Sequence, residues 1–459
     1  MKLYNTAIRN KEELKPINGN EVRIYSCGPT VYSSPHVGNM YAYICWDILV
    51  RSLGYLGYEV KQVINVTDVG HLTDDADNGE DKMEKGSKKE GVKIEELAEK
   101  YENEFLDNLE LLNISEAWKM PKATETINDQ IELIKRIEKN GFTYKTSDGI
   151  YFDTSKFKDY GKFANLNLEK LKEGARVEKN EEKKNASDFA LWKFSPKDEK
   201  RQMEWDSPWG VGFPGWHVEC TAMSTKLLGE KFDVHTGGED HIGVHHSNEI
   251  AQAYGAFGCN TANIWIHNAF MTFKGDKVSK SSGGLYTVPE LKEMGFDPMA
   301  FRYMVLGSHY RRGIEFSLDS LKKAEKALDK LRRVFNDWQG EEKINEDYKK
   351  KFVELINDDL ATPEVLALLW KLVKDSNIED ADKKATLLDF DKVLGLRLNE
   401  GVDSEENIPE EIKELVEERN KARKEKNWSE SDRLREVVKK KGYILEDSEK
   451  NCKIIRINK

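Results

Sequence analysis

"VRIYSCGPTVYSSPHVGNMYAYICWDILVRSLGYLGYEVKQVINV" (Val22–Val66) decides the fold. Its opening residues, Val22 to Cys27, read as a strand. Asn39 to Tyr55 then carries apolar residues at Met40, Ile44, Ile48, Leu49 and Leu53, the recurrence of a helix with one buried face. Tyr58 to Val66 is a buried-type strand. Strand, helix and strand make a βαβ unit. A second alternation follows: a helix from Trp216 to Gly229, the short strand Phe232 to Thr236, a helix beginning near Val244, and one strand across Asn263 to Phe273. Both stretches predict a doubly wound, parallel, Rossmann-like α/β sheet.

Working outward, Asp74 to Gly91 is dense in charges of both signs and reads as a solvated loop. Residues 118–214 mix a helical pattern (Thr126 to Lys139) with short strands such as "GIYFDT" (Gly149 to Thr154), which predicts an α+β connective domain inserted between the two halves of the Rossmann-like one, 1–117 and 215–290. From 291 to 400 the pattern turns helical, with Leu321, Ala324, Leu328, Leu331, Phe335 and Trp338 at alternating three and four spacing, a helical bundle. Thr362-Pro363 reads as an N-cap followed by a first-turn proline. Beyond the polar linker Asn399 to Glu406, residues 407–459 form a small module in which Arg419 to Lys441 holds ten Lys or Arg against four Asp or Glu.

At 459 residues and 38% hydrophobic content, the chain can bury a large core over two to four domains. No apolar run is long enough to span a bilayer and the start lacks a secretory pattern, so a cytoplasmic protein without membrane contact is expected. Five scattered cysteines argue for reduced thiols. A net charge of -11 means that any polyanion must meet a local basic patch.

His36-Val37-Gly38-Asn39 falls where the first strand hands over to its helix, so open N–H groups and the positive dipole end await a phosphate. Gly38 lets a flat nucleotide approach, while His36 and Asn39 can reach a phosphate oxygen. Lys277-Val278-Ser279-Lys280-Ser281 lies in a glycine-bounded loop after Phe273, and its lysines could close over a triphosphate and stabilise departing pyrophosphate. Both segments sit at carboxyl ends of strands, where such sheets bind ligands. Asp240, after a strand and two glycines, suits ribose hydroxyls; Trp216 and His217 could wall a small side-chain pocket.

Cys27 ends the first strand, Cys220 lies in "GWHVECTAM", and His245 and Glu249 share a helical face four residues apart. His246, three from Glu249, could replace His245. Two thiolates, an imidazole and a carboxylate suit tetrahedral zinc. Cys45, Cys259 and Cys452 have no such companions and read as packing or surface residues.

"CGPTVY", "PHVGN", "INVTD", "FPGWHVECTAM", "HTGGEDHIGVHHSNEIAQA", "WIHNAF", "KVSKSSGG" and "RNKARKEKNWSESDRLR" occur in this order through nearly the whole chain. Together they resemble the cysteinyl-tRNA synthetases, within the class I aminoacyl-tRNA synthetases. The resemblance implies that His36 to Asn39 is the signature usually written His-Ile-Gly-His and Lys277 to Ser281 the one written Lys-Met-Ser-Lys-Ser. Asn39 keeps a donor but loses a chargeable ring, and Val278 stands for methionine. His241 to Val244 replaces the family's Leu-x-Phe-Pro.

The resemblance further implies one zinc per chain on Cys27, Cys220, His245 and Glu249, magnesium with ATP, and the partners L-cysteine, ATP and tRNA(Cys), with a monomer expected. His36, Asn39, Lys277 and Lys280 would be catalytic; Gly38 and Asp240 would help bind ATP; Thr67, Trp216 and His217 would line the amino-acid pocket. The substrate thiolate would join the metal and so exclude serine, whereas shape alone separates near-isosteres only ~10- to 200-fold. The inserted segment is too small for a full class I editing domain. The alternatives are a cysteine ligase acting on a small amine, as in mycothiol-type biosynthesis, which should lack the tail, and a noncatalytic paralogue, which should lack a signature.

Overall fold

The computed structural model describes residues 1–70, 81–165, 182–196, 201–273, 285–340, 342–399, 409–425, 427–441, 443–447 and 452–456. β1 (Lys2–Asn5) and β2 (Asn10–Glu13) form a hairpin. β3 (Glu21–Ser26), α1 (Val37–Tyr55) and β4 (Glu59–Ile64) are the expected βαβ unit. Next come α2 (Lys82–Glu90), α3 (Ile94–Leu111) and α4 (Ile127–Lys139). β5 (Thr143–Lys145), β6 (Gly149–Phe152), β7 (Phe189–Phe194) and β8 (Gly212–Pro214) make an antiparallel sheet in sequence order. The chain returns through α5 (Trp216–Leu228), β9 (Phe232–Gly238), α6 (His245–Phe257), β10 (Ala262–Asn268) and β11 (Met271–Phe273).

α7 (Val288–Glu293), α8 (Pro298–Leu306) and β12 (Ile314–Phe316) lead into α9 (Leu318–Asp337), α10 (Glu346–Asn357), α11 (Thr362–Lys374) and α12 (Asp380–Leu394). The last elements are α13 (Glu410–Lys424), α14 (Trp428–Lys440) and the hairpin of β13 (Tyr443–Asp447) and β14 (Cys452–Arg456).

The main sheet has the order β10-β9-β3-β4, and every pair is parallel. From β3 the chain crosses to β4 on one side; from β9 it crosses to β10 on the other. The strand order therefore reverses between β3 and β9, opening a crevice at their carboxyl ends. Ser26 pairs with Thr236 at that edge, and the Cys27 N–H donates to Thr236 O at 3.2 Å.

Two cores hold this crevice in place. In the first, the α1 residues Met40, Ile44, Ile48, Leu49 and Leu53 pack with Val22, Ile24 and Val234 of the sheet, and the cluster continues into Leu321, Leu328, Leu331 and Phe335 of α9. In the second, Ile131, Ile134 and Ile137 of α4 and Phe152, Phe189 and Trp192 of the antiparallel sheet pack with Tyr25, Phe232 and Trp265. The 118–214 segment thus shares apolar surface with the sheet's other face.

Three expectations are corrected. Lys82–Glu90 is a helix rather than loop: Asp81 accepts the Met83 and Glu84 N–H groups, Gly91 closes the end in the left-handed region, and Met83 is fully buried. The rest of that charged stretch, 74–80, lies outside the described residues. Asn263 to Phe273 is two strands, not one: the Ala269 and Phe270 N–H groups donate to Tyr310 O and Glu239 Oε1, drawing the chain off the main sheet so that β11 pairs with β12. Thr362 is the first helical residue of α11 and its hydroxyl donates to Ser308 O, so it does not cap. The linker residues 400–408 lie outside the described residues.

One buried ion pair ties α1 to the bundle side. Asp47 and Arg302 are each almost wholly buried; Asp47 also takes Arg51 Nε at 2.7 Å and the Ser115 N–H at 2.8 Å, and Arg302 donates to Leu394 O and Leu112 O. These partners outweigh burial and hold the Asp47 carboxyl below the usual carboxylate range. Removing one partner strands a charge, so Asp47→Asn is expected to cost about 3–5 kcal/mol in urea unfolding. A loss under about 1 kcal/mol would show the pair to be dispensable.

Candidate active site

A cavity of about 500 Å³ opens at the carboxyl ends of β3 and β9. Its floor includes Cys27 and Cys220, one wall His36, Gly38 and Asn39, and its rim Thr67, Trp216, Asp240 and His245. The distance between the two thiols along the chain is closed by the fold: Cys27 follows β3, and α5 brings Cys220 beneath it. Asn65, just after β4, fixes both, because its Oδ1 accepts the Gly28 N–H at 2.8 Å and lies 3.9 Å from Cys220 Sγ. Gly28 is obligatory at this approach, since a Cβ there would sit 1.4 Å from Asn65 O.

Ligand atoms of Cys27, Cys220, His245 and Glu249 all lie within 4.8 Å of one another, and all four residues are buried. His245 and Glu249 face each other across one turn of α6, with Nε2 to Oε1 at 3.1 Å. Glu249 Oε2 lies 3.1 Å from His235 Nε2, whereas the buried Oε1 has the His245 ring beside it but no well-formed hydrogen bond. A buried carboxylate oxygen set among two thiols and an imidazole, without a well-formed hydrogen bond, is a poor arrangement for protein alone and a good one for a divalent cation. Burial above all, then Cys220 and Glu249 nearby, pushes the Cys27 thiol well up. At Cys220 a hydrogen bond from Cys27 pulls down, but burial and the neighbouring carboxylates leave it raised. Two thiols and a carboxylate cannot all be anionic here without a counter-charge.

A second grouping, Cys27, His235, His246 and Glu249, also fits within that distance. It lies deeper. His235 and His246 do not reach the cavity, and His246 is engaged on both nitrogens: Nε2 is 3.2 Å from Cys27 Sγ, and Nδ1 is 2.7 Å from His267 Nε2. His267 Nδ1 in turn meets Thr6 Oγ1 at 2.8 Å. Burial holds His246 and His267 well below the ordinary imidazole range, so both are neutral links in this chain. Of the two, the set with His245 is the one that a bound molecule in the cavity can touch.

At the start of α1, His36 and Asn39 cap each other. The Asn39 N–H donates to His36 Nδ1 at 3.2 Å and the His36 N–H to Asn39 Oδ1 at 3.1 Å. Accepting at Nδ1 places the proton of neutral His36 on Nε2, and burial lowers its pKa, so it presents a neutral donor. The cap uses the Asn39 Oδ1 and backbone N–H and leaves its Nδ2 hydrogens out. Gly38 eases the packing here, since a Cβ would come 3.0 Å from the imidazole. Lys277 and Lys280 lie outside the described residues, but the flanks of their segment do not. Phe273 approaches Gly38, the Val37 N–H donates to Tyr286 O at 2.8 Å, and His36 bridges to Thr287.

Trp216 walls the cavity and its ring lies 4.6 Å from that of His245. His217 is buried behind it and does not line the cavity; its Nδ1 is 2.9 Å from His245 Nδ1, which orients that ring instead. Thr67 is buried, donating to Glu219 Oε2 at 2.9 Å and accepting from Asn65 Nδ2 at 3.1 Å. Asp240 stands more exposed at the rim, beyond Gly238, where a Cβ would collide with its carboxylate. Sequence reasoning passed over Asn65, His235 and His267. Asn65 was visible as a polar residue closing a buried strand; nothing local marked the histidines.

No helix among the described residues is long and apolar enough to cross a membrane. Residues 13–326 match the family described as "tRNA synthetases class I (C) catalytic domain", and residues 405–453 the "Cysteinyl-tRNA ligase anticodon binding domain". A cysteine–tRNA ligase of Burkholderia lata is 46% identical over 97% of this chain and 95% of its own length. Those of Treponema denticola (42%, covering 97% and 98%) and Caldicellulosiruptor saccharolyticus (40%, covering 100% of both) are similar too. A Mycobacterium tuberculosis methionyl-tRNA synthetase, solved with methionyl-adenylate, aligns with a TM-score of 0.57 at 15% identity, over 82% of this chain and 90% of that one, a likeness of fold. With a parallel sheet broken at the strand reversal and matches running end to end, the chain belongs to the cysteine–tRNA ligase family of class I aminoacyl-tRNA synthetases.

Proposed function

We propose that the protein joins L-cysteine to tRNA(Cys) in two steps, acting as a cytoplasmic monomer. The observation that carries this is the convergence of Cys27, Cys220, His245 and Glu249, the first three of which line a cavity whose other wall is the His36–Asn39 helix start. In the first step a carboxylate oxygen of cysteine attacks the α-phosphorus of ATP. The new O–P bond gives cysteinyl-adenylate, and the bond to the β-phosphate breaks with its electron pair leaving on pyrophosphate. His36 Nε2–H and the Asn39 amide donate to the transferring phosphate, Gly38 admits the nucleotide, and Asp240 takes the ribose hydroxyls. Lys277 and Lys280 neutralise the departing pyrophosphate, with magnesium accompanying ATP.

Cys27, Cys220, His245 and Glu249 would hold zinc, which when bound supplies a Lewis acid selective for the substrate's sulfur over serine's hydroxyl. Trp216 and Thr67 bound the space around that end, and His217 keeps His245 in register. In the second step the adenylate's acyl group passes to the terminal ribose of tRNA, and AMP leaves. The connective region 118–214 and the bundle 291–400 would face the acceptor and stem of tRNA. The basic module 407–459, with Trp428 exposed, would stack on and neutralise the anticodon loop.

A charging assay with purified tRNA tests the reading: cysteine should be attached and serine should not, and robust charging of serine would reject the pocket assignment. Removal of residues 407–459 separates this reading from a cysteine ligase of small amines. Charging should fall at least about tenfold as phosphate contacts and stacking are lost, while cysteine-dependent ATP–pyrophosphate exchange persists. Unchanged charging after the deletion would remove tRNA from the account of that module.

A further inference from the structure

Lys82 lines the same cavity, and among the described residues it is the one lysine or arginine to do so. Its Nζ lies 5.6 Å from the centre of the Trp216 ring and 5.8 Å from that of Tyr32. Among the described residues no carboxylate pairs with it, whereas Lys88, further along α2, has Glu84 at 4.0 Å. A positive charge held against two aromatic faces at a cavity wall, with no carboxylate partner among the described residues, is half of an ion pair. The other half belongs to whatever the cavity binds.

The mount is firm. The neighbouring Asp81 is buried, takes the Met83 N–H at 2.8 Å and the Glu84 N–H at 3.1 Å, and pairs with Arg201. The Arg201 guanidinium in turn lies 3.7 Å from the centre of the Phe213 ring, three residues before Trp216. Gly70 leaves room for this, since a Cβ there would come 2.0 Å from Asp81 Oδ2. The start of α2 therefore grips the β8–α5 junction twice: Asp81 through Arg201 and Phe213, and Lys82 through Trp216.

One tryptophan ring separates the Lys82 ammonium from His245, whose ring lies 4.6 Å from that of Trp216. An amino acid with its side chain at the Cys27, Cys220 and His245 end spans a few ångström to its carboxylate, which brings the anionic end within reach of a flexible four-carbon stem. We propose that Lys82 binds the oxyanion at the reacting end of the amino acid: the carboxylate of the free substrate and the α-phosphate of the adenylate that replaces it. The inference rests on the reading above and adds a substrate-binding residue to it.

The test uses the full-length, zinc-loaded protein with Lys82→Met, which preserves the stem over Trp216, and Lys82→Arg, which restores the charge. Lys82→Met is expected to lower kcat/KM for cysteine in ATP–pyrophosphate exchange about 10- to 100-fold, the worth of a hydrogen bond to a charged group, and Lys82→Arg to recover most of it. Zinc content and melting temperature should match wild type. A weaker Kd for cysteine without ATP assigns the contact to the carboxylate; an unchanged Kd with a lower kcat assigns it to the phosphate. Exchange within about twofold of wild type, or a loss confined to transfer onto tRNA, overturns the proposal. Wild-type protein without any cysteine-dependent exchange would overturn the function proposed above, and this inference with it.

Discussion

Cys220→Ser is expected to release zinc and to lower cysteine-dependent ATP–pyrophosphate exchange at least about a thousandfold, ~4 kcal/mol in the activation barrier. The substitution changes one atom, so the packing of the buried Cys220 against the α5 surroundings survives and folding is not at issue. The chemistry changes more than the volume. A thiol ionises under a nearby cation, whereas a serine hydroxyl stays protonated and is a poor ligand for a borderline-soft metal. Cys27, His245 and Glu249 would remain, but three donors hold zinc far less tightly than four. Cys259→Ser, a partly exposed thiol outside the cavity, is the control and should match wild type. Full zinc occupancy with full exchange in Cys220→Ser would move the metal to the deeper grouping around His235 and His246.

Lys280→Ala is expected to cut kcat for exchange about 100- to 1000-fold, with KM for cysteine near wild type. Charge on the leaving pyrophosphate grows only as the bond to the α-phosphorus breaks, so a lysine that meets it stabilises the transition state more than the bound substrates. Lys280 lies outside the described residues. The case for its reaching the phosphates comes from its flanks, because Phe273 approaches Gly38 and the Val37 N–H is held by Tyr286 O. Both ends of the segment meet at the helix start that is proposed to bind ATP. Lys280→Arg should recover part of the rate, and a loss under about tenfold would take this lysine out of the transition state.

The sheet was legible because its signals are periodic and local. The apolar spacing of Met40, Ile44, Ile48, Leu49 and Leu53 needs no tertiary information to be read as a helix face, and all five are buried. The helix at Lys82–Glu90 was not legible, because its single apolar anchor, Met83, is surrounded by charges whose role depends on distant partners. Asp81 becomes an N-cap only with Arg201 to hold it, and Arg201 is 120 positions further on. The break at Ala269 and Phe270 likewise depends on Tyr310 and Glu239, which compete for N–H groups that a continued strand would have paired.

At the site, the donor types of Cys27, Cys220, His245 and Glu249 were readable, but the choice between His245 and His246 was not. Both lie on the face that carries Glu249, and spacing alone cannot tell a ring at the cavity from one turned toward His267. The family resemblance favoured His245, and the lining of the cavity supports the same choice. Asn39 shows the reverse. In sequence it was a departure from a histidine; in three dimensions its amide completes a reciprocal cap with His36 and still leaves a donor free. His217 lost a pocket role and gained an orienting one, a distinction that required the 2.9 Å contact with His245 to see.

The measurement that bears most directly on the central claim is X-ray absorption at the zinc edge, recorded on the isolated protein before and after saturation with cysteine. Two sulfurs at about 2.3 Å with nitrogen and oxygen at about 2.0–2.2 Å are expected at first, rising to three sulfurs with cysteine and unchanged with serine. Protein that retains exchange activity without zinc, or a metal shell in which cysteine adds no sulfur, would contradict it.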